Sequence, residues 1–586
     1  MIYSFKGTSF MHIHFSLRRA GLAGATSVAL LAACGGSQSN DNLPQLGPAT
    51  GATIASCTSL ATGFSFAETS IASAVVVASG ALTNAGQPVG EHCLVTGTMK
   101  QRVSAVDGQT YAIGFEMRLP KDWSGRYLYQ GNGGTDGAIA QASGGFSGGG
   151  PLRNGLQLGF AVISSDAGHS SAQNPLFGVD PQARLNYGYQ AVGTLTPMAK
   201  ALIKAAYGKG PERSYFGGTS NGGRHTMVAA ARYAQDYDGF LAVSPGFNLP
   251  KAAVAQLYGA QQWSTVATTT GTAPNFDLES ALPQVERAVL AKAILAKCDA
   301  LDGLADGLVQ DLSACRTAFD LARDVPTCSS ARDGTCLTSA QKTVVGNVFA
   351  GAKNSKSEAL YSRWPYDAGI VQTGWADWKF RNSVRNGRDP VALAYIFSSP
   401  PASTVALPST LDYALKFNMD TDAPKIFATS GIYTESAMSF MTPPNPTSLD
   451  AVRQRGAKMI VIHGQADGVF SVDDTAAWYD AVDAKYGGAA NSVVRFFRVP
   501  GMGHSRGGPA TDQFDGLTAL VNWVEKGQAP QRIVAGARGA GNAGGENTEL
   551  PKDWSATRTR PLCPYPLVAR YRSGDKEDES SFVCER

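Results

Sequence analysis

Short apolar runs recur along the chain, and each ends in Gly, Asn, Asp or Ser. Six of them are rich in β-branched or aromatic residues, as is typical of buried parallel strands. They are RYLYQGN (126–132), GFAVISSDAG (159–168), RSYFGGTS (213–220), GFLAVSPG (239–246), AKMIVIHGQAD (457–467) and SVVRFFRVPG (492–501). Helical patterns occupy 195–209, 223–237 and 512–527. This alternation predicts a parallel sheet covered by helices on both faces.

The alternation stops between residues 247 and 446, a segment with four cysteines and the aromatic cluster RWPYDAGIVQTGWADWKFRN. Because 586 residues are too many for one ordinary core, we expect a second folded unit. The pattern predicts a lid domain over 247–446, inserted into a sheet domain formed by 51–246 and 447–586. Residues 535–550 are glycine-rich and predict an exposed loop.

The first 34 residues have the pattern of an export signal. Arg18 and Arg19 precede a short apolar run that ends in Leu-Ala-Ala-Cys34, too short to span a bilayer as a helix. These last four residues resemble the bacterial lipobox, which would make Cys34 a lipidation site; ordinary cleavage just before it is the alternative. The polar residues 35–50 then form a tether. We expect an exported protein, either lipid-anchored to a bacterial envelope membrane such as the outer membrane, or periplasmic or secreted.

Cysteine usage agrees with export. Without Cys34, eight cysteines remain, and an even number in an exported chain indicates disulfide bonds. Pairing neighbours closes the smallest loops and predicts Cys57–Cys93, Cys298–Cys315, Cys328–Cys336 and Cys563–Cys584. None has the C-x-x-C spacing of a zinc site.

The net charge of +3 is small for this length. It gives no reason to expect a nucleic acid or another polyanion as a partner. We therefore expect a small-molecule substrate, and contact with a membrane only through the lipid anchor at Cys34.

The segment YFGGTSNGGRH (215–225) fits the pattern G-x-S-x-G around Ser220. A strand before it and a helix after it predict a sharp turn that exposes the hydroxyl as a nucleophile, with glycines on both sides allowing close backbone approach. The main-chain N–H of Asn221 would then face a developing oxyanion. In a chain with 66 glycines, a plain flexible loop is the alternative.

A serine nucleophile needs a histidine base, and the order along the chain in α/β-hydrolases is Ser, Asp, His. His504 follows the last predicted strand and fits this order. His463 lies within a strand and indicates a core imidazole, while His225 lies on the helix after Ser220. His169 precedes Ser220 and is in the wrong order.

The acid that orients the histidine should follow the preceding strand. Asp467 comes directly off VIHGQAD, whereas Asp473 and Asp474 start the next helix and fit N-terminal caps. The loop YQGNGGTDG offers Gly133 or Gly134 as the second oxyanion donor, with a plain turn as the alternative.

At these residues the chain resembles the tannase and feruloyl esterase family. The resemblance covers nearly the whole mature chain and includes GNGGTDG, GTSNGGR, the large insertion, HGQADGVFS, GMGHSRGG and the cysteine pair near the C-terminus. It implies an α/β-hydrolase fold with a large inserted lid domain that cleaves esters of aromatic acids. It also implies that Ser220, Asp467 and His504 form the triad, with the oxyanion hole at Asn221 and at Gly133 or Gly134.

The segment CDALDGLADGLVQDLSAC places three carboxylates, Asp299, Asp302 and Asp306, in one short loop. Such carboxylates repel one another unless a hard cation neutralises them. By resemblance, this loop is the family's structural calcium site in the lid, with main-chain carbonyls from Leu304 and Leu308. The alternative is a solvated acidic loop.

One departure from the family concerns two cysteines that join the catalytic loops. Their positions hold Thr219 and Ser505 here. The two loops must then be positioned by packing or, as a hypothesis, by a Thr219–Ser505 hydrogen bond.

The lid aromatics offer walls for a flat acyl group, and Arg385 or Arg388 offers a partner for a carboxylate on it. Alternatively, the aromatics form the core of the lid and the arginines lie on its surface. The aromatics are Trp364, Tyr366, Trp375 and Trp378. The sequence predicts a serine ester hydrolase acting through an acyl-enzyme on Ser220, on feruloyl, galloyl or terephthalate monoesters. An esterase of short hydroxyalkanoate oligomers and a non-catalytic ligand-binding lipoprotein are the alternatives.

Overall fold

A computed structural model of the protein describes residues 43–146, 148–150, 152–269, 276–402 and 404–586. The predicted signal segment and the lipidation site at Cys34 lie outside the described residues. Within those ranges, no helix combines the length and the hydrophobicity needed to cross a bilayer.

The centre of the molecule is a nine-stranded mixed sheet. Its strands are β1 (Thr69–Val77), β2 (His92–Val103), β3 (Thr110–Pro120), β4 (Arg126–Gly131), β5 (Ala161–Ser165), β6 (Arg213–Thr219), β7 (Gly239–Val243), β8 (Lys458–Gly464) and β9 (Val494–Val499). Their order across the sheet is β9-β8-β7-β6-β4-β5-β3-β2-β1.

The six predicted strands are confirmed as β4 to β9, and all of their pairings with one another are parallel. The pairings that involve β1, β2 and β3 are antiparallel, and the sequence analysis missed these strands. In β2, buried and half-exposed residues alternate over much of the strand, so no continuous apolar run marks it.

The longer helices are α1 (Ala191–Tyr207), α2 (Asn221–Arg232), α3 (Leu249–Ser264), α4 (Gln284–Cys298), α5 (Ser339–Phe349), α6 (Val472–Lys485) and α7 (Gly516–Lys526). Successive strand residues point to opposite faces: Val461 joins one hydrophobic cluster, while Ile460 and Ile462 join another. Helices α1 and α2 pack in the first cluster and α7 in the second. The prediction of helices on both faces is therefore confirmed.

Short elements fill the connections. The short α-helices are Leu60–Gly63, Pro181–Leu185, Leu312–Ala318, Leu321–Asp324, Thr373–Ala376, Arg388–Val391, Thr410–Lys416, Ala437–Met441 and Asp450–Arg455, and the π-helical segments are Asn186–Gln190, Asp377–Arg385 and Ala392–Ile396. The 3-10 segments are Ser171–Gln173, Leu176–Val179, Ala234–Asp236, Leu278–Ala281, Asp299–Asp302, Ala368–Val371, Ala423–Phe427, Ala490–Ser492 and Glu579–Ser581. Two-residue strands pair Ala52–Thr53 with Asp122–Trp123, Thr83–Asn84 with Gln87–Pro88, and Thr268–Thr269 with Phe276–Asp277.

The segment 247–446 contributes no strand to the central sheet within its described residues and is largely helical. Its buried residues, such as Trp263, Ile294 and Phe349, belong to the same hydrophobic cluster as one face of the sheet. Since one core joins the insertion to the sheet, the exact lid boundary stays a prediction.

Two segments that were expected to be loose are packed. In the predicted tether, Ala49 N donates to a carboxylate oxygen of Glu525 on α7 (3.1 Å), so the described part of this segment is held on the sheet domain. The prediction of an exposed loop at 535–550 is wrong in part. Ala535, Arg538 and Asn547 are buried there, because Arg538 and Asn547 bind the loop that carries His504.

The C-terminal region forms two antiparallel hairpins beside the sheet. They pair β10 (Ile533–Gly536) with β11 (Thr559–Leu562), and β12 (Val568–Tyr571) with β13 (Phe582–Glu585). All four predicted disulfides are confirmed: Cys57–Cys93, Cys298–Cys315, Cys328–Cys336 and Cys563–Cys584.

Candidate active site

Ser220 occupies a sharp turn between β6 and α2. Its φ of 64° and ψ of −122° lie outside the usual regions for an L-residue. A Cβ atom on Gly222 would lie 2.2 Å from the carbonyl oxygen of Gly131, and one on Gly218 would lie 2.6 Å from the same oxygen. Both glycines are therefore required by the close approach of β4 to the turn, and the plain-loop alternative is excluded.

The predicted triad residues come together although they are far apart in sequence. His504 Nε2 lies 2.8 Å from Ser220 Oγ, and His504 Nδ1 lies 2.8 Å from Asp467 Oδ2. With the proton on Nδ1, the imidazole donates to Asp467 and accepts from the serine hydroxyl. This is the arrangement in which a histidine can take the proton of a nucleophile.

The Asp467 carboxylate is fully buried and accepts four hydrogen bonds. Its Oδ1 accepts from the main-chain N–H groups of Val469 (2.8 Å) and Phe470 (3.0 Å), and its Oδ2 accepts from His504 and from His463 Nε2 (3.2 Å). Burial alone would raise the pKa of Asp467, but His504 and His463 outweigh burial and hold this pKa well below its usual range. Asp467 therefore stays ionised beside the imidazole.

The other histidines have structural environments. His463 is completely buried, as predicted for a core imidazole, and its Nδ1 lies 2.9 Å from Thr475 Oγ1. His169 stacks on Phe177 with the ring centroids 3.6 Å apart, and burial lowers the pKa of His169 to about 4.

The loop that carries Gly133 and Gly134 lies against the turn at Ser220. A Cβ on Gly133 would be 4.0 Å from the carbonyl oxygen of Thr219, and one on Gly134 would meet no atom within 4 Å. Asn221 is the first residue of α2, where main-chain N–H groups have no partner within the helix. The placement is compatible with an oxyanion hole, and the role of these N–H groups stays a prediction.

A buried polar cluster that sequence reasoning missed ties this loop to α2. Asp136 Oδ2 accepts from Asn221 Nδ2 (2.9 Å) and lies 2.8 Å from His225 Nε2, while Arg224 Nε donates to Asn221 Oδ1 (2.6 Å). Burial and the charge of Arg224 lower the pKa of His225, so its neutral form is favoured. Asp136 is visible in the sequence as the aspartate of GNGGTDG. Its partners could not be inferred from the sequence, because they lie far along the chain.

Of the four lid aromatics considered, Trp378 is the one that contacts the triad. Its ring meets the His504 ring edge-on at 5.0 Å, and Phe470 does the same at 5.4 Å. The guanidinium of Arg388 lies over both rings, at 5.1 and 5.7 Å, and its buried Nε has no hydrogen-bond partner among the described residues. Arg385 is exposed.

The other three lid aromatics pack within the lid. Tyr366 stacks on Phe349 with centroids 4.6 Å apart, and Trp375 meets Phe380 edge-on at 5.9 Å. The amine of Lys379 lies 3.2 Å from the ring centroid of Trp364. For these three, the lid-core alternative describes the observed packing.

In the acidic lid loop, Asp299 Oδ1 accepts from the main-chain N–H groups of Asp306 (2.9 Å) and Gly307 (3.1 Å). The carboxylate of Asp306 forms a buried ion pair with Arg560. The Oδ2 atom of Asp302 is buried and has no partner among the described residues.

The main-chain N–H groups of Leu304 and Leu308 donate to the carboxylates of Asp302 and Asp306, at 3.2 Å each. In the described part of the chain, no group of three or more His, Cys, Asp or Glu side chains is arranged to hold a metal ion. The calcium assignment therefore stays a prediction.

A family model for tannase and feruloyl esterase matches residues 93–585 of this chain, which is most of its length. This chain belongs to the tannase and feruloyl esterase family. It is therefore a carboxylic ester hydrolase, as the sequence predicted.

Two relatives agree with this assignment, and a solved structure agrees with the predicted fold. The chain is 38% identical over 525 residues to mono(2-hydroxyethyl) terephthalate hydrolase of Piscinibacter sakaiensis, covering 84% of this chain and 85% of that protein. It is 30% identical to a probable feruloyl esterase of Arthroderma benhamiae, with coverage of 80% and 81%. The crystal structure of feruloyl esterase B from Aspergillus oryzae superposes with a TM-score of 0.70 at 22% identity, over 90% of this chain and 99% of that one. The predicted α/β-hydrolase fold is confirmed.

Thr219 and Ser505 occupy the positions of the two cysteines that join the catalytic loops in the family. The hydrogen bond hypothesised between them is not formed. Thr219 Oγ1 donates instead to the carbonyl oxygen of Phe146 (2.5 Å). Ser505 Oγ is buried without a hydrogen-bond partner among the described residues. The hypothesis of a Thr219–Ser505 hydrogen bond is therefore wrong, because the Thr219 hydroxyl is bound to Phe146 instead.

A buried ion pair holds the loop that carries His504. Asp512 accepts from Arg538 Nε (2.9 Å) and Nη2 (2.7 Å), and its Oδ2 also accepts from Gly507 N (2.7 Å). The side chains of Asp512 and Arg538 are 0% and 8% exposed. Three residues after His504, the main chain is thus fixed by a carboxylate that Arg538 neutralises.

Glu549 provides a second attachment of the same loop. Its Oε2 accepts from Gly508 N (2.8 Å), and its Oε1 accepts from Thr373 N of the lid (2.8 Å). Asn547 Nδ2 donates to the carbonyl oxygen of Gly508 (2.9 Å). The histidine loop is therefore positioned by hydrogen bonds where the family uses a disulfide.

We expect Arg538→Met to lower kcat by roughly ten- to a hundredfold, because Asp512 loses its counter-charge and small displacements of a catalytic group are costly. The free energy of unfolding should fall by roughly 3–5 kcal/mol, since one partner of a buried ion pair is removed. Steady-state kinetics at a temperature where the variant is folded, together with urea unfolding, measure both. Arg532→Met is the matched control, because it removes the partly exposed arginine paired with Glu579. Unchanged kcat in folded Arg538→Met would contradict the positioning role.

Proposed function

We propose that this protein is a serine esterase that cleaves esters of aromatic acids through an acyl-enzyme on Ser220. The observation that carries the proposal is the continuous chain of hydrogen bonds from Ser220 Oγ through His504 to the buried Asp467, with 2.8 Å at each step. A ligand-binding protein has no need of such a chain.

The chemistry follows from these positions. His504 Nε2 takes the hydroxyl proton as Ser220 Oγ attacks the ester carbonyl, and Asp467 stabilises the imidazolium that forms. The main-chain N–H of Asn221 and that of Gly133 or Gly134 stabilise the oxyanion. His504 then returns the proton to the departing alcohol. A water molecule, deprotonated by the same imidazole, attacks the acyl-enzyme and releases the acid and the free serine.

The acyl group of the substrate is proposed to be aromatic because of the wall beside the triad. Trp378 and Phe470 both contact the His504 ring, and Arg388 spans the two rings. A flat acyl group attached to Ser220 would find two aromatic surfaces there. The guanidinium of Arg388 is partly exposed and pairs with Asp389, and it can also donate to an oxygen on that group. Feruloyl, galloyl and terephthalate monoesters all carry such oxygens, and similarity to enzymes named for feruloyl and terephthalate esters supports this class.

We expect Ser220→Ala to lower kcat on the best ester by roughly four orders of magnitude or more, since the nucleophile is removed. The panel is methyl ferulate, methyl gallate, a terephthalate monoester and a short aliphatic ester. Ser505→Ala is the matched control, because it removes a nearby hydroxyl that has no hydrogen bond among the described residues.

Three outcomes would count against parts of the proposal. Equal turnover by wild type and Ser220→Ala would refute the nucleophile. Preference for the aliphatic ester would favour the hydroxyalkanoate alternative. Absence of turnover on every ester would favour the ligand-binding alternative.

We also propose that Asp299, Asp302 and Asp306, with the carbonyls of Leu304 and Leu308, hold a structural calcium ion. The donors are all oxygen atoms, which calcium prefers, and the buried Oδ2 of Asp302 has no other partner among the described residues. Arg560 already neutralises Asp306, so the other oxygens would carry most of the interaction. When bound, the ion would supply charge neutralisation to the lid and no catalytic chemistry.

Calcium at 100 times its Kd should then stabilise the protein by about 2.7 kcal/mol. The protein is first treated with a chelator to remove bound metal. The shift in its melting temperature is then measured by thermal unfolding with and without added calcium. Asp302→Asn should abolish the shift, while Asp553→Asn, which changes an exposed aspartate nearby, should keep it. A melting temperature that calcium leaves unchanged in wild type would refute the site.

Export and anchoring through Cys34 are likewise proposed from the N-terminal pattern. In a bacterial host, wild type should be recovered with the membranes and carry lipid, and Cys34→Ala should be recovered in the soluble fraction. Labelling with a radioactive fatty acid and fractionation test this. If both proteins fractionate in the same way and neither carries the radioactive lipid, lipidation of Cys34 is refuted. Ordinary signal cleavage just before Cys34 would then be favoured.

A further inference from the structure

A cavity lies where several parts of the chain meet, away from Ser220 and His504. It has a volume of about 610 Å³, and none of Ser220, Asp467 and His504 borders it. Its walls come from the lid, α6, the end of β9 and the segment that leads into β12. Arginines and aspartates dominate its polar lining.

Most of the charged groups in this lining are paired with each other. Arg316 Nη2 and Arg363 Nε each donate to Asp473 Oδ2, at 2.9 Å. Arg570 Nη2 donates to Asp311 Oδ2, also at 2.9 Å. Two carboxylates thus face three guanidinium groups, which leaves excess positive charge on this side of the cavity.

Arg498 differs from the other arginines of the lining. It makes no hydrogen bond and no ion pair within the described part of the chain, and its guanidinium lies over the Tyr565 ring at 4.8 Å. The nearby Asp480 accepts a hydrogen bond from the Tyr565 hydroxyl (3.2 Å). Burial lowers the pKa of Arg498, while Tyr565, Asp473 and Asp311 raise it. Arg498 is half-buried, and its guanidinium borders the cavity with five N–H donors that make no hydrogen bond within the described residues.

Carboxylate and phosphate oxygens match the planar geometry of a guanidinium best, so an arginine without a partner in the described part of the protein favours such an oxyanion. Five arginine side chains and three aspartates border the cavity when Asp480 is counted, so its side-chain charge is net positive and suits an anion. Ala477, Pro566 and Val568 supply an apolar wall next to these charges.

We propose that this cavity is an anion site that binds a small oxyanion, either a phosphate ion or an organic carboxylate, with Arg498 as its main ligand. The site does not depend on which ester the triad cleaves. It does lie next to both catalytic loops: Arg498 is near the end of β9, six residues before His504, and Asp473 follows Asp467 by the same number.

The test uses the full purified protein and isothermal titration with sodium phosphate and, separately, sodium benzoate, at constant ionic strength set with sodium chloride. We expect saturable binding of at least one anion to one site. Arg498→Gln should weaken this binding by at least about tenfold, as the loss of charge-assisted hydrogen bonds predicts. Arg495→Gln is the matched control, because Arg495 is an arginine on the same strand that also lies over an aromatic ring, Trp523, outside this cavity.

Binding of phosphate alone would identify an inorganic oxyanion, and binding of benzoate, alone or together with phosphate, would show that organic carboxylates are accepted. Saturable binding of neither anion by wild type would overturn the proposal. Benzoate binding that Arg498→Gln leaves unchanged would belong to the active site and would also overturn it. Should Arg498→Gln fail to fold, Arg498→Lys keeps the charge but removes the planar fork, and binding of unchanged strength in this variant would contradict the assigned role.

Discussion

The hydrogen-bonded arrangement of Ser220, His504 and Asp467 depends on keeping one carboxylate charged in a place that water does not reach. Asp467 is fully buried, and two imidazoles and two main-chain N–H groups surround its oxygens. These donors lie in three different parts of the fold. His463 is in β8, the two N–H groups are in the turn that follows β8, and His504 is in the loop after β9. If any of these were displaced, the free energy of holding the charge would rise, and the imidazole would lose its orientation toward Ser220.

The main features of the fold could be predicted because they are local in sequence. The buried parallel strands are continuous apolar runs, and the turn at Ser220 needs glycines on either side of the serine, where Gly218 and Gly222 pass close to Gly131. The triad could be predicted because its members follow such strands in a fixed order. Strands β1 to β3 were missed because none is a continuous apolar run: β1 has a single buried residue, β2 alternates between buried and half-exposed residues, and Glu116 and Arg118 interrupt the apolar residues of the largely buried β3.

The supports of the site could not be predicted in the same way. Asp136 meets Asn221 and His225 across more than eighty residues, and Glu549 meets Thr373 across 176. Nothing in the local sequence distinguishes such residues from surface polar groups. The same limit explains the error at Thr219 and Ser505: neighbourhood in the fold was inferred correctly, but the direction of each hydroxyl depends on nearby carbonyl groups such as that of Phe146.

Glu549 has a consequence for how the lid and the histidine loop move. One of its oxygens accepts from Thr373 N in the lid, and the other accepts from Gly508 N in the loop that carries His504. Because both hydrogen bonds end on one carboxylate, a displacement of the Thr373 segment would be transmitted to Gly508, four residues after His504. The lid and the histidine loop are thus mechanically coupled through a single side chain.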